Sequence, residues 1–249
     1  YYNKKGKLRG TGLALIMTMQ YRIITEDKTF DEYIKGYARH LISRMCPSGE
    51  FMGYYIHPGY HNGEPLTEMT DEERKSTFSF YYPGEALLGL ALFMKHFKDD
   101  MNLNNEIREK SKFALDWIVN ERPKSYSEMF TALPSDAWLM QAIDEFTEDD
   151  EFKKEDYINF VYTDAQSMMD RMYRKNDSPY LDYEGGFYYN YGDHYYPDGA
   201  RSEGLVSAYY LAKKMGNEKF ADKVLEACKI ILGRKQAIIG VLACFFILL

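Results

Sequence analysis

The sequence predicts an all-α chain built from helical hairpins. Three observations carry that expectation. Buried and amphipathic helical patterns alternate along most of the 249 residues, helix starts carry Pro, Ser or Asp where a first turn favours them, and strand-like sequence is confined to long loops. An apolar share of 45% against 28% charged residues is enough to fill a core and excludes global disorder.

Residues 12–25 are apolar on more than one helical face, as a buried helix is. Residues 31–45 set Tyr33, Ile34, Tyr37, Leu41 and Ile42 at helical spacing, with Lys35, Arg39 and Arg44 between them. That is an amphipathic outer helix, closed by Pro47, Ser48 and Gly49. Residues 47–82 read as a long irregular stretch with one strand at 51–56 and a turn at His61, Asn62 and Gly63. A helix-free stretch of that length inside a helical domain is usually functional. Residues 83–97 open with Pro83 and are apolar almost all round, and 105–120 is their amphipathic partner. Residues 134–146 open with Pro134, Ser135 and Asp136, and 152–173 form the long charged partner. A second Gly- and Tyr-rich loop, 175–199, precedes a buried helix at 200–215, and Gly216 and Asn217 lead into its partner at 218–232. Four buried-then-amphipathic pairs result, and such pairs stack side by side with one helix inward and one outward. The closed form of this arrangement is an (α/α) toroid, whose inner helices line a funnel.

The run Phe80-Tyr81-Tyr82-Pro83-Gly84-Glu85-Ala86-Leu87-Leu88 sharpens this reading. With Trp138-Leu139-Met140-Gln141-Ala142, Gly185-Gly186-Phe187 and Arg201-Ser202-Glu203-Gly204-Leu205, it resembles the six-hairpin glycosidase-like superfamily of (α/α)6 toroids. The resemblance spans residues 10–232 and is one of pattern and periodicity. It implies carbohydrate chemistry, since that group includes glycoside hydrolases, acylglucosamine-type epimerases and polysaccharide lyases. A toroid of this family has six hairpins against the four readable here. The expectation is therefore a partial or open toroid domain at 10–235, followed by a separate apolar segment at 236–249.

Polar residues recur at one place on the buried helices. Glu85, Asp136, Arg201 and Glu203 fall in first turns, and parallel inner helices would gather them at one end with Tyr81, Tyr82 and Trp138. Glycoside hydrolysis needs one carboxyl to protonate the leaving oxygen and one carboxylate to activate water or attack carbon. Glu85, Asp136 and Glu203 are the candidate catalytic residues. Tyr81, Tyr82, Trp138, Arg201 and His194 are the candidate substrate-binding set, with aromatic faces for sugar rings and a cation for hydroxyls or acidic groups. The expected activity is hydrolysis of an oligo- or polysaccharide. Two alternatives stand beside it. One is a non-catalytic toroid that binds glycan or protein at the cell envelope. The other is a sugar epimerase, for which His194 and Tyr82 are the available bases. The competing structural reading has the acids capping helices and complementing their dipoles, Arg201 paired with Glu203, and Trp138 in the core.

Composition narrows the partners. A net charge of −7, with no basic run longer than Lys4-Lys5, argues against nucleic acid. Cys46, Cys228 and Cys244 have no close pair, which excludes a disulfide framework and a cysteine zinc site. His57 and His61 with Glu64 lack a third firm metal ligand, and Asp182, Glu184, Asp193 and Asp198 show no calcium-loop spacing. Gly185-Gly186 lacks the strand-to-helix context of a dinucleotide site, so neither metal nor cofactor is expected. The chain begins at Tyr1, as a fragment or processed product does. Residues 237–249 carry no charged side chain. As a helix they would cover about 20 Å of a ~30 Å hydrocarbon core. They read as a buried core element, with a membrane anchor behind Lys229, Arg234 and Lys235 as the alternative. An envelope or extracytoplasmic location is favoured over a cytoplasmic one. Finally, 12 of the 23 tyrosines fall in two loops, 51–82 and 180–196, each directly ahead of a buried helix, while the rest are spread over the helices and other segments.

Overall fold

Long apolar and amphipathic runs with few internal breakers make the described residues mostly helical, with one short strand pair among them. The structure, a computed structural model, describes residues 5–56, 70–129, 136–180, 183–193 and 199–233. In chain order the elements are β1 (Lys5–Lys7), α1 (Leu8–Thr25), α2 (Asp31–Ile42), β2 (Tyr54–Ile56), α3 (Asp71–Thr77), α4 (Tyr82–His96) and α5 (Met101–Asp116). There follow α6 (Arg122–Ser125), α7 (Ala137–Phe146), α8 (Glu155–Asp170), α9 (Gly199–Lys214) and α10 (Glu218–Leu232). The chain divides into two compact units, Tyr1–Ser127 and Glu128–Leu249.

In the first unit α1 and α4 are the inner helices, packed on each other, while α2 and α5 lie outside them. Every residue of α4 from Pro83 to Met94 is buried, as its all-round apolar sequence requires. The two inner helices run parallel: Gly12 meets the backbone at Glu85 and Ala86, and Leu15 meets Gly89. Glycine permits this close approach, because a Cβ on Gly12 would stand 3.1 Å from the Ala86 nitrogen. The α4–α5 connection is closed by buried Asn104, whose Nδ2 donates to the carbonyls of Met94 (3.3 Å) and Phe97 (2.9 Å). Those carbonyls belong to the end of α4, where intrahelical partners run out.

Three expectations about this unit need correction. Residues 47–82 are not helix-free. Thr70 and Glu73 form a reciprocal capping box, with Glu73 N–H donating to Thr70 Oγ1 and Thr70 N–H to Glu73 Oε2, and it starts α3. The strand is shorter than 51–56. Only Tyr54–Ile56 joins a ladder, antiparallel to β1 with Gly6 opposite Tyr55, and Phe51 makes an isolated bridge to Met45. The helix expected at 105–120 begins at Met101, behind the Asp100 cap, and passes through a π-turn, Trp117–Glu121, into α6. Pro123 explains the widened turn. It has no N–H to donate and its ring crowds the carbonyl four residues back, which a longer hydrogen-bond register relieves.

The second unit repeats the plan. Inner helices α7 and α9 pack together, with α8 and α10 as their outer partners. Gly204 sits beside Ala137 and Met140, and Lys214 reaches Asp144 and Thr147, so these helices are also parallel. Gly216, at φ +71°, turns the chain between α9 and α10, and Asn217 caps α10 by accepting the Phe220 N–H at 3.2 Å. Among the described residues no helix is long and apolar enough to cross a membrane, and the apolar segment 236–249 lies outside them.

Candidate functional site

Parallel inner helices bring their N-terminal ends to one end of each unit, and the expected site residues among the described ones lie at or near it. In the first unit Glu85 is 1% exposed. Its Oε1 pairs with Arg9 Nε at 3.3 Å, and Arg9 is itself half exposed. The pair joins the first turn of α4 to that of α1 and closes the carboxylate beneath the protein surface. Tyr82 is half-buried and its N–H donates to Ser79 Oγ, whereas Tyr81 is exposed, with its ring edge-on to Phe80 at 5.5 Å.

Beside Tyr82 lies a polar cluster that the sequence did not announce. Glu50 is buried and accepts the Tyr126 hydroxyl on Oε1 and Arg74 Nη1 on Oε2, the latter at 3.2 Å. Arg74 shares its fork with Asp71. Burial first, then the Glu50 carboxylate, holds the Tyr126 phenol above its usual range. Arg122, also buried, lies over the Phe80 ring at 4.8 Å and donates to the Phe80 carbonyl at 3.3 Å. Glu50, Arg74, Tyr82, Trp117 and Arg122 border a cavity of about 20 Å³, room for one water and no sugar. The cluster therefore fastens the 44–56 loop, α3 and α6 over the inner-helix ends. The Thr70–Glu73 capping pattern could have found α3 in the sequence, but not the pairing of Arg74 with Glu50.

In the second unit Asp136 is fully buried and is the N-cap of α7 rather than a first-turn residue. Its Oδ1 accepts the Leu139 N–H at 3.3 Å, and its own N–H donates to Asp164 Oδ2 at 3.1 Å. Trp138 is half-buried two residues on, in the first turn of α7, and Glu203 is half-buried one turn into α9, past the first turn expected for it, because that helix already starts at Gly199. Gly204, the next residue, lies against Ala137, so the Asp136 and Glu203 backbone positions come to the same end of the unit. Glu85 belongs to the first unit. Residues 201 and 203, two apart on a helix, face different ways.

Arg201 is buried and its guanidinium lies over two rings, Tyr189 at 5.0 Å and Phe187 at 5.5 Å. These rings come from a loop whose described residues are tied down by hydrogen bonds. Met172 bridges Phe187, Tyr173 N–H donates to the Gly186 carbonyl, and Gly185 N–H returns to the Tyr173 carbonyl, with Gly185 at φ +77°. Buried Tyr173 donates its hydroxyl to the Asp193 carbonyl (2.8 Å) and accepts the Gly192 N–H (3.0 Å). Tyr188 and Tyr191 donate to the carbonyls of Asp170 and Asp177. The outcome is a fixed aromatic surface on which Tyr180, Tyr189 and Tyr191 remain exposed. His194 lies outside the described residues.

Among the described residues no group of three His, Cys, Asp or Glu side chains is placed to hold a metal. Cys228 is no ready nucleophile, since burial pushes its thiol up to about 11. No protein-family model matches the chain, and no curated protein or solved structure is significantly similar to it.

Proposed function

We propose that the chain is a carbohydrate-active protein of the (α/α)-toroid type, with its glycan site on the tyrosine surface at the N-terminal ends of α7 and α9. One observation carries the reading: Tyr189 and Tyr191 are exposed, their loop is held by its own hydrogen bonds, and Arg201 lies under Tyr189. Sugar rings stack on exposed aromatic faces, and a surface ordered before binding spares the entropy of ordering it. The two-hairpin units with parallel inner helices are what segments of a toroid would look like, and the loops ahead of inner helices are where such a funnel has its rim.

Hydrolysis is the activity we assign to this site, and the neighbouring positions of Asp136 and Glu203 favour it. Glu203, the more accessible, would face substrate, with Asp136 behind it. The test is Glu85→Gln, Asp136→Asn and Glu203→Gln, each assayed for release of reducing ends from oligosaccharides that bind the wild type. Asparagine caps a helix as well as aspartate does, so Asp136→Asn separates chemistry from folding. Loss of turnover in Glu203→Gln with binding retained supports hydrolysis. Full turnover in all three variants removes the carboxylates from the chemistry. Binding without any product from the wild type leaves the non-catalytic glycan-binding toroid, and deuterium uptake at a sugar carbon without cleavage marks an epimerase.

A further inference from the structure

α1 has two apolar faces, and its own unit uses one. Leu8, Gly12, Leu15, Ile16 and Met19 are buried, whereas Gly10, Met17, Tyr21 and Ile24 are exposed, with Leu13, Ala14 and Gln20 half-buried among them. At about 100° per residue these seven positions fall within about 60° either side of Met17. They form one stripe along the 18-residue helix, and none is charged. Met17 and Ile24 are 71% and 69% exposed. Phe30 and Tyr33, both exposed, widen the patch: Phe30 packs edge-on to Tyr21 at 5.6 Å and meets Tyr33 at 6.3 Å. A contiguous exposed apolar patch with a charged rim marks an interaction surface.

We propose that this face binds a second copy of the chain, α1 against α1 in antiparallel array, about a two-fold axis through Met17. Shape argues for it. The operation sets Ile24 over Gly10 and Tyr21 against Leu13, large side chains against small or recessed ones. A Cβ on Gly10 would meet nothing within 4 Å, so open space lies where the partner's Ile24 arrives. Charge argues for it as well. Lys7 and Arg9 are exposed at one end of α1, and exposed Glu26 with half-buried Asp27 ends the other. The two-fold brings the basic start of each helix to the level of the acidic end of the other, where a parallel pair would face like with like. Lys28 is also at the acidic end, leaving it net negative, while Arg22 is held by Asp31 at 2.7 Å. The exposed side chains offer on the order of 500 Å² a copy, so a pair buries about 1,000 Å², the lower bound for a specific interface.

Sedimentation of the full chain across the micromolar range tests the proposal, together with oxidative cross-linking. A reversible dimer is expected. Met17→Glu with Ile24→Glu raises its dissociation constant at least about 100-fold, from the apolar area lost on both copies. Lys7→Glu weakens it, and adding Glu26→Lys restores it. Met17→Cys yields disulfide-linked dimers under mild oxidation, while Gly36→Cys, exposed on α2, does not. Three results would overturn the proposal: a wild-type monomer at every concentration, a dimer indifferent to Met17→Glu with Ile24→Glu, or a fall in the monomer's own melting temperature in that variant, which would mean the face is covered within the chain.

Discussion

Replacing Glu50 with alanine strikes a buried carboxylate that ties the 44–56 loop to α3 and to the end of α6. Two donors lose their acceptor. The Tyr126 hydroxyl, on a side chain 4% exposed, is left without it in a desolvated site, which costs about 1–3 kcal/mol. Arg74 keeps Asp71 and is 37% exposed, so its loss adds only about 0.5–1 kcal/mol. The sum is about 1.5–4 kcal/mol for Glu50→Ala. Tyr126→Phe removes one donor and leaves the carboxylate on Arg74, for about 1–2 kcal/mol. The double variant loses less than the two singles added, with a coupling near 1 kcal/mol. Trp117 is the reporter, its ring 6.2 Å from Tyr126, in a Trp138→Phe background so that urea unfolding follows the first unit alone. Single variants each within about 0.5 kcal/mol of wild type, or strict additivity, would show that Glu50 holds nothing there.

Other changes are as specific. Gly49 sits at φ +96°, and a Cβ would stand 2.7 Å from the Phe113 carbonyl carbon, so Gly49→Ala costs at least about 3 kcal/mol by urea unfolding. Asn104→Ala leaves the last carbonyls of α4 without their donor, for about 1–2 kcal/mol by the same measurement. Asp144 is held up to about 6, from its ordinary 3.8, by burial that outweighs the Lys214 ammonium at 2.9 Å. The folded state therefore binds this proton more tightly than the unfolded state. Its contribution opposes folding above about pH 6 and fades as pH falls towards about 4, a swing of at most roughly 3 kcal/mol. The stability difference between wild type and Asp144→Asn should shift in that direction over that window, and a flat difference refutes the assignment.

The hairpins were legible because each rests on local information. Periodicity marked α4 and α10, Pro83 and Asn217 marked their starts, and the parallel run of inner helices followed from alternating them with outer ones. β1 was not legible, since Lys5–Lys7 has no strand signal until Tyr54–Ile56 lies beside it. Asp136 could be read two ways from sequence, and its bond to the Leu139 N–H makes it a cap. Glu50, Arg74 and Tyr126 were illegible for another reason. Their hydrogen bonds join residues 24 and 76 apart, and no local pattern marks such a pairing. Arg201 was visible as a polar residue on a buried helix, yet the rings that receive it, Phe187 and Tyr189, became its partners only through the folded loop.

Glycan binding at the tyrosine surface is the central claim, and titration calorimetry with a panel of neutral and acidic oligosaccharides, on wild type and on Tyr189→Ala, tests it most directly. The account predicts saturable binding to a member of the panel. That binding should weaken about three- to tenfold in Tyr189→Ala, the worth of one stacked ring, and stay unchanged in Phe113→Ala, an exposed aromatic on α5. No heat with any oligosaccharide, or equal weakening by both substitutions, contradicts it.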